Sequence, residues 1–281
     1  AQEFKSLAFP PPIESAVIQK NKSESCVKER RESTQKGSEV LRSERRPPFQ
    51  EISQGSSHEG LFLYYREASQ ECLKATIKYF KARNTKLNSI IYASYLIALS
   101  SMTEDPVTQK SLSITIPCSL RGNLNSNYFL GLYIELLPFP NQKIDHKLTF
   151  IDLANSLEKQ IIEKKKAKRH SDSDQNAPSM VFDAFISNIG KYPFPITFEA
   201  ADSTVKLINH VGVTSVVSDP FAMYFISIRG WTMSMYGFKD DKSKEVIREV
   251  LDRAYNIMIN SEAYADKSVE ELYRIIAELK K

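Results

Sequence analysis

One segment, residues 87–99, limits the possible folds of this chain more than any other. Drawn as a helix, it carries isoleucine, leucine, alanine and tyrosine around almost its whole circumference, so it lacks a polar face. A helix of this kind is stable only inside a core formed by other elements. Thr85 is predicted to cap the helix, because a threonine hydroxyl accepts from the first free amides of a helix. The fold must therefore enclose this segment.

Strands and helices are mixed along the rest of the chain. Apolar runs typical of strands occur at residues 61–65, 112–121, 128–137, 185–190, 205–214 and 222–236, the last as a hairpin. Helical spacing occurs at residues 67–83, 150–166, 242–259 and 268–281. Ser268 and Glu271 form a capping box, and Pro117 restricts its strand to an edge or a bulge. This order predicts an α/β fold with a mixed β-sheet flanked by helices.

The first 59 residues differ from the remainder in composition. Residues 1–18 include three consecutive prolines, which hold the backbone extended. Residues 19–59 are rich in Lys, Arg, Glu, Ser and Gln, as in a polar linker or surface loop. Ordered structure is therefore predicted for residues 60–281, as one subdomain.

The composition excludes several classes of protein. The net charge of +4 is too small for 281 residues to indicate nucleic-acid binding. The three cysteines are widely spaced, which argues against a disulfide framework or zinc site and favours an intracellular, cytoplasmic location. We find no apolar run long enough to span a membrane and no signal peptide. We therefore expect no metal and no nucleic-acid partner.

The strand at residues 185–190 is a candidate site because of how it ends. Ser187, Asn188 and Gly190 follow its apolar part. Two small hydrogen-bonding side chains followed by a glycine let the backbone turn closely around a ligand. The same residues also fit an Asx-type turn that caps a strand without any ligand.

His170 and Asp174 have the H-x-x-x-D spacing in which an aspartate orients a histidine acting as general base in acyl transfer. They lie beside the basic run 164–169 in a polar stretch, whereas a catalytic base needs a rigid, partly desolvated setting. A coincidence in a solvated loop explains the spacing better.

The basic run 164–169 lacks the aromatic residues of a nucleic-acid site. His210 lies on an apolar strand, as core histidines do.

Four stretches together suggest a family. They are residues 9–14, the buried helix from Thr85 onward, residues 116–121 followed by Leu130 and Gly131, and residues 185–190. In order and spacing they resemble the C-terminal half of the chloramphenicol-acetyltransferase-like acyltransferases, which include nonribosomal peptide condensation domains. Within that group the sequence looks most like the fungal alcohol O-acetyltransferases.

The resemblance implies one subdomain of a two-layer sandwich, facing a second subdomain across a tunnel. Acetyl-CoA, or another acyl-CoA, would enter from one mouth, and a small alcohol or amine acceptor from the other. Ser187, Asn188, Gly190, Ser119 and Arg121 would then line the substrate and CoA tunnel.

The family's catalytic histidine belongs to an H-x-x-x-D motif in the other, N-terminal half. His170 and Asp174 lie in the wrong half and lack the glycine that follows that motif. The resemblance therefore implies a C-terminal half without its catalytic base, inactive alone and completed by the missing N-terminal half.

Two alternatives remain open. One is a non-catalytic binding or scaffolding module with the same fold. The other concerns the last helix, whose apolar side chains could lie on the endoplasmic reticulum or another lipid surface or pack against the domain. These side chains are Val269, Leu272, Tyr273, Ile276 and Leu279.

Overall fold

A six-stranded mixed sheet and six helices make up most of the described structure. The computed structural model describes residues 61–102, 111–119, 134–170, 183–191, 197–200, 203–206, 222–228, 230–238 and 241–278. The strands are β1 (Leu61–Ser69), β2 (Leu112–Ser119), β3 (Ile134–Gln142), β4 (Ala184–Lys191), β5 (Thr197–Ala200), β6 (Ser203–Lys206), β7 (Ala222–Ser227) and β8 (Gly230–Phe238). The helices are α1 (Gln70–Lys81), α2 (Leu87–Ser100), α3 (Phe150–His170), α4 (Asp241–Ile259), α5 (Ser261–Tyr264) and α6 (Val269–Glu278).

The large sheet has the strand order β1-β8-β7-β4-β2-β3, and β5 pairs with β6 in a separate two-stranded sheet. Strand β4 runs parallel to both β7 and β2, whereas the other neighbours are antiparallel. Strands β7 and β8 form the predicted hairpin. Helices and mixed strand directions confirm the predicted fold class, an α/β arrangement with a mixed sheet flanked by helices.

One face of the sheet carries the apolar core. Because side chains alternate between the faces of a strand, Ile114 and Ile116 of β2 and Ala184 and Ile186 of β4 point to the same side. These side chains join a single cluster with the buried residues of α1, α2, α3, α4 and α6. The helices therefore form one layer against this face.

Helix α2 lies at the centre of the helical layer, as its sequence predicts. Every residue from Ser89 to Ser100 is buried. Its capping differs from the prediction, because Lys86 is the N-cap residue and makes no side-chain cap bond. The Thr85 hydroxyl instead donates to the Asn155 side-chain oxygen of α3 at 2.9 Å and to a backbone carbonyl at 3.3 Å. A tertiary contact has replaced the local cap.

The boundary between β1 and α1 and the end of α3 both differ from the sequence predictions. Strand β1 continues to Ser69 because all nine of its residues pair with β8, so α1 begins at Gln70 and not at residue 67. The Ser69 hydroxyl caps α1 by accepting from the Cys72 amide at 3.2 Å. Helix α3 continues through the basic run to His170. Lysine and alanine favour helix, and cations stabilise a helix C-terminus.

Prolines lie at positions where the sheet requires no backbone N–H donor. Strand β3 is an edge strand and continues through Pro138 and Pro140, although the sequence predicted its end at Pro138. Pro117 of β2 lies beyond the last residue pair that β2 forms with β4. On the side of β2 that faces β4, Pro117 has no paired neighbour, so the predicted edge position is confirmed on that side.

The last helix is capped and packed against the domain. The Ser268 amide donates to a Glu271 side-chain oxygen at 2.7 Å, and the Glu271 amide donates to the Ser268 hydroxyl at 3.2 Å, which confirms the capping box. Val269, Leu272, Tyr273 and Ile276 are all buried in the core. Leu279 lies outside the described residues. The described part of this apolar face is thus covered by the protein itself.

Several predictions fall outside the described residues and have no structural counterpart here. They concern the segments 1–18 and 19–59, the first part of the 128–137 run, and the stretch around His210.

Candidate functional site

The large sheet opens between β2 and β4. The ladder between them contains two residue pairs, Ile114 with Ala184 and Thr115 with Phe185. Both strands then continue without further pairing to each other, β2 to Ser119 along β3 and β4 to Lys191 along β7. Ligands of open α/β sheets bind where neighbouring parallel strands part at their carboxyl ends. The opening between β2 and β4 is therefore a candidate ligand site.

The end of β4 is shaped by a turn that Asn188 and Gly190 form together. The Gly190 amide donates to the Asn188 side-chain oxygen at 2.8 Å, and the pairing register with β7 shifts between these two residues. Gly190 has a φ of 85°, in the left-handed region where a Cβ would be strained. The shift leaves Ile189 half exposed. The Asx-type turn predicted from the sequence is present, and it fixes the orientation of the Asn188 amide.

The first turn of α2 meets this turn. The Asn188 Nδ2 atom donates to Asn88 Oδ1 at 2.5 Å, across 100 residues of sequence. An amide that both donates to Asn88 and accepts from Gly190 is held in one orientation. Asn88 itself is exposed. The carboxyl end of β4 and the amino end of α2 therefore present oriented amides together.

Helix α3 completes the surroundings of α2. The Glu158 carboxylate accepts from the Ser89 hydroxyl at 2.6 Å and from Lys86 Nζ at 2.5 Å. Burial raises the pKa of Glu158, but these two hydrogen bonds and the charges of Lys86 and Lys165 outweigh it, so the pKa lies below the ordinary value of 4.5. Glu158 is therefore ionised at neutral pH.

Tyr92 lies one helical turn after Asn88, on the same face of α2. Burial raises the pKa of Tyr92 far above the ordinary value of 10, and the nearby Cys118 and Glu158 side chains add to this shift. Cys118 lies near the end of β2, and Glu158 lies in the first half of α3. We call Asn88, Tyr92, Cys118, Glu158 and Asn188 the strand-end site.

The structure divides the tunnel residues predicted from the sequence. Asn188 faces the helical layer and belongs to the strand-end site. Ser187 points to the opposite face of the sheet, where it is paired in register with Tyr224. Ser119 is exposed at the end of β2. Arg121 lies outside the described residues.

The H-x-x-x-D pair is not brought to this site by any described contact. Asp174 lies outside the described residues, and only the backbone of His170 is described, as the last residue of α3. At 1.5 Å per residue, His170 is about 18 Å further along the helix than Glu158. His146, the one histidine whose side chain the structure describes, packs against the ring of Tyr273 with centroids 5.9 Å apart.

Sequence reasoning missed four residues of the strand-end site, Asn88, Tyr92, Cys118 and Glu158. One signal was present, because Asn88 and Tyr92 are spaced by four and place polar groups on an otherwise apolar helix. Glu158 had no such signal, since it belongs to the polar side of an amphipathic helix. Its role depends on which elements pack together.

The described part of the chain limits the chemistry of the site. It contains no cluster of His, Cys, Asp and Glu suited to a metal ion. It also contains no helix with the length and apolarity needed to cross a membrane. The strand-end site offers hydrogen-bond donors and a fixed carboxylate, which suit binding and orientation of a polar ligand.

Comparison with known proteins shows the fold. No protein-family model and no curated protein matches the sequence. The condensation domain of the monacolin K polyketide synthase MokA aligns with a TM-score of 0.57 and 10% identity, over 75% of this chain and 49% of that one. The first condensation domain of the calcium-dependent antibiotic synthetase, in complex with a substrate analogue, gives 0.56 and 10%, over 85% and 52%. The PapA2 acyl transferase gives 0.50 and 11%, over 72% and 44%.

The chain spans about half the length of these structures. At such identities the likeness concerns the fold alone. We conclude that the chain has the fold of half of a condensation domain or a related acyl transferase.

Proposed function

We propose that this chain forms one half of an acyl-CoA-dependent O-acyltransferase of the alcohol acetyltransferase type. The observation that carries the proposal is the Asn188–Asn88 contact at the point where β2 and β4 part. Two fixed amides at an open strand end supply hydrogen bonds to a carbonyl or amide group of a ligand. The fold shared with condensation domains and an acyl transferase supplies the reaction class.

In the proposed reaction a base in the other half takes the proton of the acceptor hydroxyl. The acceptor oxygen then bonds to the thioester carbonyl carbon, and the negative charge moves to the carbonyl oxygen. When the tetrahedral intermediate collapses, the carbon–sulfur bond breaks and the CoA sulfur receives the proton held by the base. This chain orients the thioester and excludes water from one side.

The strand-end site itself contains no suitable base. Glu158 is the only carboxylate in the site, and hydrogen bonds from Lys86 and Ser89 already occupy it. Its lowered pKa makes it a weak proton acceptor at neutral pH. The proposal therefore places the base on the N-terminal half of the complete protein, as the resemblance implies.

The test is CoA release from acetyl-CoA with a panel of small alcohols and amines, measured with a thiol reagent. The complete reading frame should transfer acetyl groups, and the 281-residue chain alone should not. Asn188→Ala should lower kcat/KM of the complete protein about tenfold, as expected for the loss of an orienting hydrogen bond. Ser187→Ala, on the opposite sheet face, is the matched control and should leave it within twofold.

Turnover by the 281-residue chain alone that disappears on His170→Ala would contradict the proposal and assign the base to His170. A complete protein that binds CoA in calorimetry without turnover would favour the second candidate, a non-catalytic binding module. The absence of a suitable base among the residues of the strand-end site is the observation that favours this second candidate.

A further inference from the structure

We infer that Glu158 of α3 is a positioning residue of the strand-end site, which holds the first turn of α2 in the place where Asn88 meets Asn188. This inference rests on the proposed function and extends it, because it names the residue that prepares Asn88 for the acyl-CoA. The evidence consists of the weak local support of that turn, the hydrogen bonds that Glu158 accepts from it, and the anchoring of α3 in the domain.

The first turn of α2 has little support of its own. Its N-cap residue, Lys86, makes no side-chain cap bond, and the turn contains no acidic residue. A helix start without a cap leaves backbone amides without partners, and such ends fray. Asn88 is exposed and Leu87 only partly buried, whereas every residue from Ser89 to Ser100 is buried. Apolar packing therefore fixes α2 from Ser89 onward and leaves the position of Asn88 to polar contacts.

The Glu158 carboxylate supplies such contacts on both sides of Asn88. It accepts from the Ser89 hydroxyl at 2.6 Å and from Lys86 Nζ at 2.5 Å. Lys86 lies two residues before Asn88 and Ser89 directly after it, so one side chain holds both ends of this short segment. The Ser89 bond is the stronger of the two, because Ser89 is fully buried and its acceptor is charged. The Lys86 bond contributes less, since that side chain is largely exposed.

Helix α3 is itself fixed in the domain. Four of its large apolar side chains are buried in the core, those of Phe150, Leu153, Leu157 and Ile161. Its start is bonded to the segment before α6, by the Phe150 amide to the Lys267 carbonyl at 2.9 Å. Asn155, one turn before Glu158 and on the same side of α3, accepts from the Thr85 hydroxyl at 2.9 Å. The contacts to α2 therefore start from a fixed helix and lie along one side of it.

Glu158 acts on a ligand only through its neighbours. Its lowered pKa keeps the carboxylate ionised at neutral pH, and an ionised carboxylate has no hydrogen to donate to a thioester carbonyl. The residue that it holds, Ser89, adjoins Asn88, which the proposed function assigns to the ligand. A binding group works only when a supporting contact keeps it within about 0.5 Å of its productive place. Loss of Glu158 should therefore weaken the hydrogen bond between Asn88 and the ligand.

The test is calorimetric titration of the complete protein with acetyl-CoA. Glu158→Ala should raise the Kd about three- to tenfold, the range of one neutral hydrogen bond. Glu163→Ala is the matched control, because Glu163 is exposed on the same helix. It should leave the Kd within about twofold, as surface substitutions do.

A binding cycle shows whether Glu158 acts through Asn88. Asn88→Ala alone should raise the Kd by a similar factor. In the Asn88→Ala background, Glu158→Ala should then change the Kd by less than about twofold, because the group that it positions is already missing. A direct contact between Glu158 and the ligand, or a general loss of structure, would instead raise the Kd by its full factor in both backgrounds.

Ser89→Ala tests the same contact from α2 and does not depend on how well Glu158→Ala folds. Alanine is smaller than serine and favours helix, so this variant should stay folded. Its Kd for acetyl-CoA should rise about threefold, since Lys86 still binds Glu158 but the stronger bond is lost.

An unchanged Kd in both Glu158→Ala and Ser89→Ala would overturn the inference, and so would additive effects of Glu158→Ala and Asn88→Ala. If the wild-type protein transfers acetyl groups, either result leaves the proposed function standing. Failure of the wild-type protein to bind acetyl-CoA would overturn both.

Discussion

The Asn88–Asn188 contact is the structural element on which the strand-end site depends, and a double-mutant cycle tests it. The two side chains lie 100 residues apart in sequence and are joined by one hydrogen bond of 2.5 Å. A net hydrogen bond between neutral groups contributes about 1 kcal/mol to the free energy of unfolding. Residues in contact show coupling energies of about 0.5–3 kcal/mol in such cycles. We expect a coupling of about 1 kcal/mol.

The two single variants are expected to lower the free energy of unfolding by different amounts. Asn188→Ala removes the bond to Asn88 and the bond to the Gly190 amide, so it should destabilise the chain by about 2 kcal/mol. Asn88→Ala removes one bond but places alanine in an exposed helical turn, which returns up to about 0.7 kcal/mol of helix propensity. Its net cost should be only a few tenths of a kcal/mol. The coupling, and not the single cost, is therefore the informative quantity.

Equilibrium urea unfolding of the four proteins gives the coupling directly. The cycle of Asn88→Ala with Ser187→Ala is the control, because Ser187 points to the other face of the sheet, and its coupling should be close to zero. Distant sites add within about 0.3–0.5 kcal/mol. An Asn88–Asn188 coupling inside that range would refute the geometry of the strand-end site.

Three further predictions concern the fold around the site. Gly230→Ala should destabilise the chain by about 3 kcal/mol in urea unfolding, since a Cβ there would lie 1.9 Å from the Ala68 carbonyl oxygen of β1. Gly190→Ala meets no atom within 4 Å and should cost only about 1 kcal/mol, the strain of its positive φ; equal costs would contradict this account. Ionised Glu158 stabilises the chain above its ordinary pKa of 4.5, and this contribution falls as pH drops through that value to the lowered folded pKa. The stability difference between wild type and Glu158→Gln should therefore shrink below pH 4.5, and a constant difference would contradict the role of the Lys86 and Ser89 bonds.

Features of the fold that depend on local pattern were predictable from the sequence. The all-round apolar surface of α2 required burial, and residues Ser89–Ser100 are buried. The Ser268–Glu271 pattern predicted a capping box, and the structure has one. The β7–β8 hairpin followed from two apolar runs around a short turn. In each case the residues that decide the structure are close in sequence.

The strand-end site was only half predictable, because its residues come from elements that are far apart in sequence. Asn188 and Gly190 could be identified because a short polar ending on an apolar strand is a local signal. Their partner Asn88 comes from an element 100 residues away, and no local pattern specifies that contact. Neighbouring residues of a strand also face opposite sides of the sheet, so Ser187 and Asn188 could not serve one site together. That separation follows from the pleat once the strand is established.

Tertiary contacts also changed elements that local rules had predicted. Thr85 fits the N-cap preference, yet Lys86 is the N-cap residue, and the Thr85 hydroxyl donates to Asn155 of α3. Helix α1 begins later than its periodicity indicates, because the pairing of β1 with β8 extends to Ser69. A contact between distant elements overrides local helix or strand propensity where it satisfies the same polar group.

Hydrogen–deuterium exchange of the complete protein, with and without acetyl-CoA, tests whether the strand-end site binds an acyl-CoA. We expect slower exchange on binding at the end of β4, around Gly190, and in the first two turns of α2, with little change in α4 and α6. Unchanged exchange at both of these segments at saturating acetyl-CoA would contradict the assignment of the strand-end site to an acyl-CoA ligand.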